Sequence, residues 1–177
     1  MDLRSFVDKA RSAGELLLIT RPVEPHLEMA SVIAALEGKV IFFPRVRGSG
    51  FPVVAGVCSD RRLFALALDC PPDLLLFRLT EALAHPQQPP PAESAPCQEV
   101  VEPAVDLTAL PFLTHWPSDA GPYATAAVLF IDDPDTGPSA AFHRLLRLDG
   151  RRLAARLVEG RGTHTAWTKT DADLPVA

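Results

Sequence analysis

No apolar run in this sequence comes near the roughly 20 residues that a membrane-spanning helix needs. The longest, Leu16-Leu17-Leu18-Ile19 and the stretch 126–131, are short. The opening Met-Asp-Leu-Arg-Ser-Phe has no cationic start leading into an apolar core, so no secretory signal is read there. Cysteine is scarce: Cys58, Cys70 and Cys97 form no CxxC pair. An odd count at wide spacing speaks against a disulfide framework and against a zinc site. It fits three buried or bland thiols in a reducing cytoplasm. A basic excess is missing as well, since 17 Lys and Arg stand against 22 Asp and Glu. No nucleic-acid partner is therefore expected. There is no GxSxG, no P-loop and no GxGxxG after a strand. His115, His143 and His164 do not stand at the helical spacing of a metal-binding pair.

What the sequence does have is enough apolar residues, 47% of 177, to build a core in one large domain or two small ones. Proline, at 18 residues, has about twice its usual share. Asp2 suits an N-cap, Leu3, Phe6, Val7 and Ala10 share one helical face, and Gly14 is a stop signal. A short buried strand over 15–20, a helix over 27–36, and strands over 40–43 and 53–57 follow. Asp60 is placed to cap a helix covering 63–68. A further helix over 73–84 is expected to put Leu75, Leu76, Leu79 and Leu83 inside.

Residues 85–99 change character, with Pro86, Pro89, Pro90, Pro91 and Pro96 making an extended linker. Beyond residue 110 the pattern becomes β. Antiparallel strands are predicted over 124–131, 140–148 and 152–158, with a turn at 132–137 and Asp149-Gly150 as a two-residue hairpin signal. Alternation on the first of these puts Ala126, Val128 and Phe130 on one face and Ala127, Leu129 and Ile131 on the other.

The stretch 139–162 holds Arg144, Arg147, Arg151, Arg152, Arg156 and Arg161 against only Asp149 and Glu159. On a strand, Arg144 and Leu146 share one face, and His143, Leu145 and Arg147 the other. An arginine on a buried face needs an anion, because a lone buried charge is very costly. Phosphate or carboxylate suits its planar fork. Two readings follow from composition: a solvated hairpin with its arginines outside, or an anion site.

His115-Trp116-Pro117-Ser118-Asp119-Ala120-Gly121-Pro122-Tyr123-Ala124-Thr125, the turn Asp133-Pro134-Asp135-Thr136-Gly137, and the opening Asp2-Leu3-Arg4-Ser5-Phe6 through Arg21-Pro22-Val23 resemble the UbiD family of prenylated-FMN-dependent decarboxylases, in order along nearly the whole chain. The family carries a strand reading Asn-x-Gly-Ile-Tyr-Arg, which matches Ser139-Ala140-Ala141-Phe142-His143-Arg144 here. The resemblance gives Arg144 the role of contacting a substrate carboxylate and a catalytic glutamate. It puts Phe142 and His143 against the flavin, Arg156, Leu157 and Val158 on another cofactor-contacting strand, and Arg161 and Gly162 beside the cofactor phosphate. Ser139 replaces the family's metal-ligating Asn, a weaker and shorter ligand. The ligating His falls at Gly160, with His164 close by. No ordered divalent ion such as manganese is therefore expected among these residues.

The implied fold is α+β, with an N-terminal α/β module over residues 1–98. A flavin-reductase-like split β-barrel follows over 99–177 and is incomplete. The implied chemistry is reversible, non-oxidative decarboxylation of an aromatic or α,β-unsaturated acid by a carboxy-lyase, a lyase whose modified flavin is the electron sink. The resemblance places the catalytic acid outside this chain. It implies a homo-oligomer or a complementary C-terminal chain as partner. The alternative is a non-catalytic binding or regulatory module, or a truncated remnant, that keeps the fold.

Overall fold

The computed structural model describes residues 2–87 and 90–177. Pro89 of the expected linker lies outside the described residues. Helix α1 (Leu3–Ser12) starts where the Asp2 carboxylate accepts the Ser5 amide, and strand β1 (Leu16–Leu18) follows. Helix α2 (Glu28–Ala35) then crosses over, so that β2 (Val40–Phe43) pairs parallel with β1. Strand β3 (Val53–Ala55) closes this sheet antiparallel to β2.

The two-residue period of β2 divides the core. Ile41 and Phe43 point to the side of α2 and pack with Val23, Met29 and Val46. Val40 points to the opposite side and packs with Phe6 and Ala10 of α1 and with Leu63. Leu63 belongs to α3 (Arg61–Ala67), whose first turn is capped by the Asp60 carboxylate accepting the Arg62 amide. Just after β3, Gly56 has φ +73°, and a Cβ there would stand 2.1 Å from the Lys39 carbonyl oxygen. Only glycine lets the two backbones approach this closely.

Helix α4 (Leu75–Ala84) departs from expectation. Leu75 is buried, but Leu76, Leu79 and Leu83 are exposed, Leu83 by 83%. The helical period holds, but burial does not follow from it, because α4 packs mainly on α3 and no described layer covers its apolar stripe.

The second sheet is an antiparallel meander of β4 (Tyr123–Asp133), β5 (Gly137–Arg147) and β6 (Leu153–Ala155). The chain is thus α+β with two three-stranded sheets, and among the described residues neither closes into a barrel. Val128 stands opposite Phe142, and a bulge between Ala124 and Ala127 shifts the register near the start of β4. Helix α5 (Gly162–Thr168), which the apolar pattern does not announce, packs on β4 and β5 with Ala166 fully buried. The side of β4 bearing Ala127, Leu129 and Ile131 is therefore the covered one, while Val128, Phe130 and Phe142 face outward and are exposed. At the free edge of β4, Phe130 and Ala177 exchange two backbone hydrogen bonds of 2.8 and 3.0 Å.

Two local expectations need correction. The Asp149-Gly150 hairpin is not a two-residue turn. The Leu148 amide donates to the Arg152 carbonyl, so three residues form the loop, and Gly150 is not left-handed. The cause is the Asp149 carboxylate, which accepts the amides of both Arg151 and Arg152 and draws the loop into an Asx-type turn. Strand β6 ends at Ala155, so Arg156, Leu157 and Val158 leave the ladder instead of continuing it.

Segment 107–115 ties the second sheet to the first module. The Leu27 amide donates to the Thr114 carbonyl, the Thr114 amide to the Pro25 carbonyl, and Leu113 packs on the α2 core cluster. Leu27 sits at φ +63°, a strained conformation for a leucine, at this junction.

Because Phe43 has no solvent exposure, Phe43→Ala is expected to lower unfolding stability by about 3–5 kcal/mol. Leu83→Ala, on the uncovered stripe, is expected to stay within about 0.5 kcal/mol. Urea unfolding of the two variants checks both.

Candidate functional site

Of the six arginines of 144–161, five separate into two groups once folded, and Arg151 is exposed and lines no cavity described below. Arg152 pairs with Asp149 at 2.7 Å. Arg147 donates to the Leu107 carbonyl at 3.2 Å, and its guanidinium lies 5.9 Å from the centre of the Phe112 ring. That arginine binds the sheet to segment 107–115 and is spent on structure. Arg144, Arg156 and Arg161 make no ion pair and no side-chain hydrogen bond among the described residues.

These three converge on two adjoining cavities. The larger, of about 570 Å³, lies against the face of the sheet that carries Tyr123 and Leu146, and His115 and Trp116 form part of its wall. Thr125, beside the β4 bulge, also lines it. Arg144 and Arg156 line this cavity and also a second one of about 340 Å³. Phe142, His143 and Val158 border the second, and Arg161 and Gly162 complete its wall at the start of α5. Among the described residues, no carboxylate lines the smaller cavity. Asp119, in the larger, is already occupied: its carboxylate accepts the His115 and Trp116 amides at 3.0 and 2.9 Å. The local field is therefore positive, and a planar guanidinium fork suits phosphate or carboxylate.

The structure brings Phe142, His143, Arg144, Arg156, Val158, Arg161 and Gly162 to one cavity. Leu157 is half-buried and lines neither. Ser139 is exposed opposite Ile131, outside both cavities. The His143 ring is already engaged, with Nε2 2.9 Å from the Thr163 hydroxyl. His164 lines the smaller cavity, accepts the Gly160 amide at 3.4 Å and meets Trp167 edge-on. Among the described residues, no group of three or more His, Cys, Asp and Glu side chains could hold a metal ion. Cys58 and Cys97 are exposed thiols rather than buried ones.

Thr163 was not singled out as a site residue by the sequence. Its helix has no large apolar stripe to reveal it, and the buried positions are Thr163 and Ala166 alone.

Beneath α5, Asp133 is a buried carboxylate that serves two elements. It accepts the Asp135 and Thr136 amides, at 2.9 and 3.1 Å, which shapes the β4–β5 turn. It also pairs with Lys169 at 3.2 Å. The Asp135 amide, and after it Lys169, hold the Asp133 carboxyl below the ordinary aspartate range, against the opposing effect of burial. Asp135 and Asp133 in turn raise the Lys169 ammonium.

Two family models match the chain. The 3-octaprenyl-4-hydroxybenzoate carboxy-lyase N-terminal domain covers residues 7–83, and the carboxy-lyase Rift-related domain covers 90–177. Between them these models span nearly the whole chain: it belongs to the UbiD family. An anhydromevalonate phosphate decarboxylase from Methanothermobacter thermautotrophicus is 33% identical over 157 residues, which are 88% of this chain and 36% of that protein. The UbiD-class enzyme HmfF from Pelotomaculum thermopropionicum, solved in complex with FMN, is 34% identical and superposes with a TM-score of 0.84 over 94% of this chain and 39% of its own. The apo 3,4-dihydroxybenzoic acid decarboxylase from Enterobacter cloacae gives 28% identity and a TM-score of 0.89 over 99% and 41%. The chain thus spans about two-fifths or less of the length of these relatives.

The depressed Asp133 value carries a pH dependence. A carboxylate with a lowered folded pKa adds stability above its unfolded value, near pH 4, and loses it as pH falls through the folded value. Asp133→Asn is expected to be less stable than wild type at pH 7 and to show a shallower loss of thermal midpoint below about pH 4. Melting curves from pH 7 to about pH 2.5 measure it.

Proposed function

We propose that this chain is part of a UbiD-like carboxy-lyase catalysing reversible, non-oxidative decarboxylation of an aromatic or α,β-unsaturated carboxylic acid with prenylated FMN. The observation that carries the reading is the convergence of Arg144, Arg156 and Arg161, none of them ion-paired among the described residues, on a cavity with apolar Phe142 and Val158 at its border. That donor set fits a flavin mononucleotide: guanidinium groups for the phosphate and apolar side chains for the ring. Bound there, the modified flavin supplies an electron sink for release of carbon dioxide. Arg161, beside Gly162, holds the phosphate. Arg144, lining both cavities, orients the substrate carboxylate in the larger one, where Trp116 and Tyr123 offer aromatic walls.

The donor set does not fit a divalent metal at Ser139, and no step is assigned to one. In this reading the acid that protonates the product comes from outside these 177 residues, from the family's remaining length or from a second chain. The module boundary lies near residue 98, the second module is part of a split barrel, and the compartment is the cytoplasm. The metal-poor donor set favours one rival, a non-catalytic binding module or truncated remnant that keeps the fold.

Purified chain is expected to bind FMN more tightly than riboflavin, because only FMN carries the phosphate. Arg161→Met is expected to weaken FMN roughly 3- to 10-fold at low salt, a discounted figure for a solvent-exposed guanidinium, and to leave riboflavin unchanged. Equal affinity for the two flavins would overturn the assignment. No decarboxylation of an unsaturated acid is expected from the chain with prenylated FMN alone; turnover lost in Arg144→Ala would contradict this.

The outward apolar face of β4 and β5 supports a partner, either a second copy or a complementary chain. Val128, Phe130 and Phe142 are all exposed, Phe142 by 82%. Sedimentation of wild-type chain is expected to show self-association that Phe142→Glu reduces. A compact wild-type monomer at high concentration would count against it.

A further inference from the structure

We propose that Lys169 is a positioning residue for the arginine-lined cavity, holding the far end of α5 so that Arg161 at its near end stays in the cavity wall. The inference rests on reading that cavity as the phosphate site. Helix α5 has seven residues and spans about 10 Å, too short to be stable by itself. Three contacts fix it on the second sheet. At its first turn the Thr163 hydroxyl meets His143 Nε2 at 2.9 Å. In the middle Ala166 is fully buried. At the C-cap the Lys169 ammonium bridges Asp133 at 3.2 Å and Asp135 at 2.7 Å.

The C-terminal anchor ties the helix to a fixed point on the sheet. Asp133 is only 8% exposed at its side chain and is held by the Asp135 and Thr136 amides, so it cannot follow a drifting helix. A cation is also favoured at a helix C-terminus, where the backbone carbonyls are unpaired. Lys169 therefore links the C-terminal end of α5 to the β4–β5 turn through two carboxylates. Arg161 is the N-cap of that same helix and lines the cavity. Lys169 does not line either cavity, so its effect on a ligand passes through the helix.

The test is the ratio of FMN to riboflavin affinity, read by flavin-fluorescence quenching on the full 177-residue chain. Arg161 is assigned to the phosphate side, so a displaced α5 should weaken FMN binding more than riboflavin binding. Lys169→Met is expected to weaken FMN roughly 3- to 10-fold with riboflavin within about twofold, and Lys169→Arg to restore most of the loss. Asp135→Asn, which removes only the exposed partner, is expected to give a smaller loss of the same kind. If Lys169→Met fails to fold, the Asp135→Asn ratio decides. An unchanged ratio in a wild-type chain that does discriminate, equal loss of both flavins, or failure of Lys169→Arg to restore overturns the clamp alone. A wild-type chain that binds both flavins equally overturns the phosphate site and the clamp together.

Discussion

Backbone pairing between β4 and β5 decides which side chains of the arginine-rich segment meet one another. With Val128 opposite Phe142 and Ala127 opposite His143, the strand period sends Phe142 and Arg144 outward and His143, Leu145 and Arg147 toward the covered side. A slip of one residue would exchange these sets. Arg147 would then lose the Leu107 carbonyl and the Phe112 ring, and Arg144 would enter the packed side without a partner. The Asp133 turn, with Gly137 at φ +77°, pins the register at one end.

The division of labour among like charges follows from that register. Arg147 and Arg152 have partners close in space and serve the frame. Arg144, Arg156 and Arg161 come from a strand, a loop after a strand and a helix cap, and meet only because β6 ends early and the chain turns into α5. A longer β6 would have carried Arg156 along the sheet. The early end of the ladder is thus part of how the cavity is made.

The first module contributes position more than chemistry. Its central strand β2 is buried on both faces, and its core accepts Leu113 from the segment that leads into β4. That packing, with the backbone bonds between residues 25–27 and 114, sets where β4 begins. The strained Leu27 persists because these surroundings overdetermine it.

Local signals in the sequence determined much of the frame. Strand β2 is found over the residues expected, Asp2 and Asp60 cap their helices, and the meander of β4 to β6 follows the alternation of its residues. These features depend on neighbours along the chain, whose period and capping chemistry a single sequence displays. The family resemblance, rather than spacing, named Arg144, Arg156 and Arg161; composition alone leaned toward a solvated hairpin over an anion site. Tertiary structure decided the remainder. It left Leu76, Leu79 and Leu83 uncovered, made the Asp149 loop three residues long, and ended β6 at Ala155. It also formed α5 from a stretch whose buried residues are one threonine and one alanine, and joined Lys169 to Asp133 across 36 residues. Each of these depends on what lies across space from a residue, and a one-dimensional pattern carries no record of that.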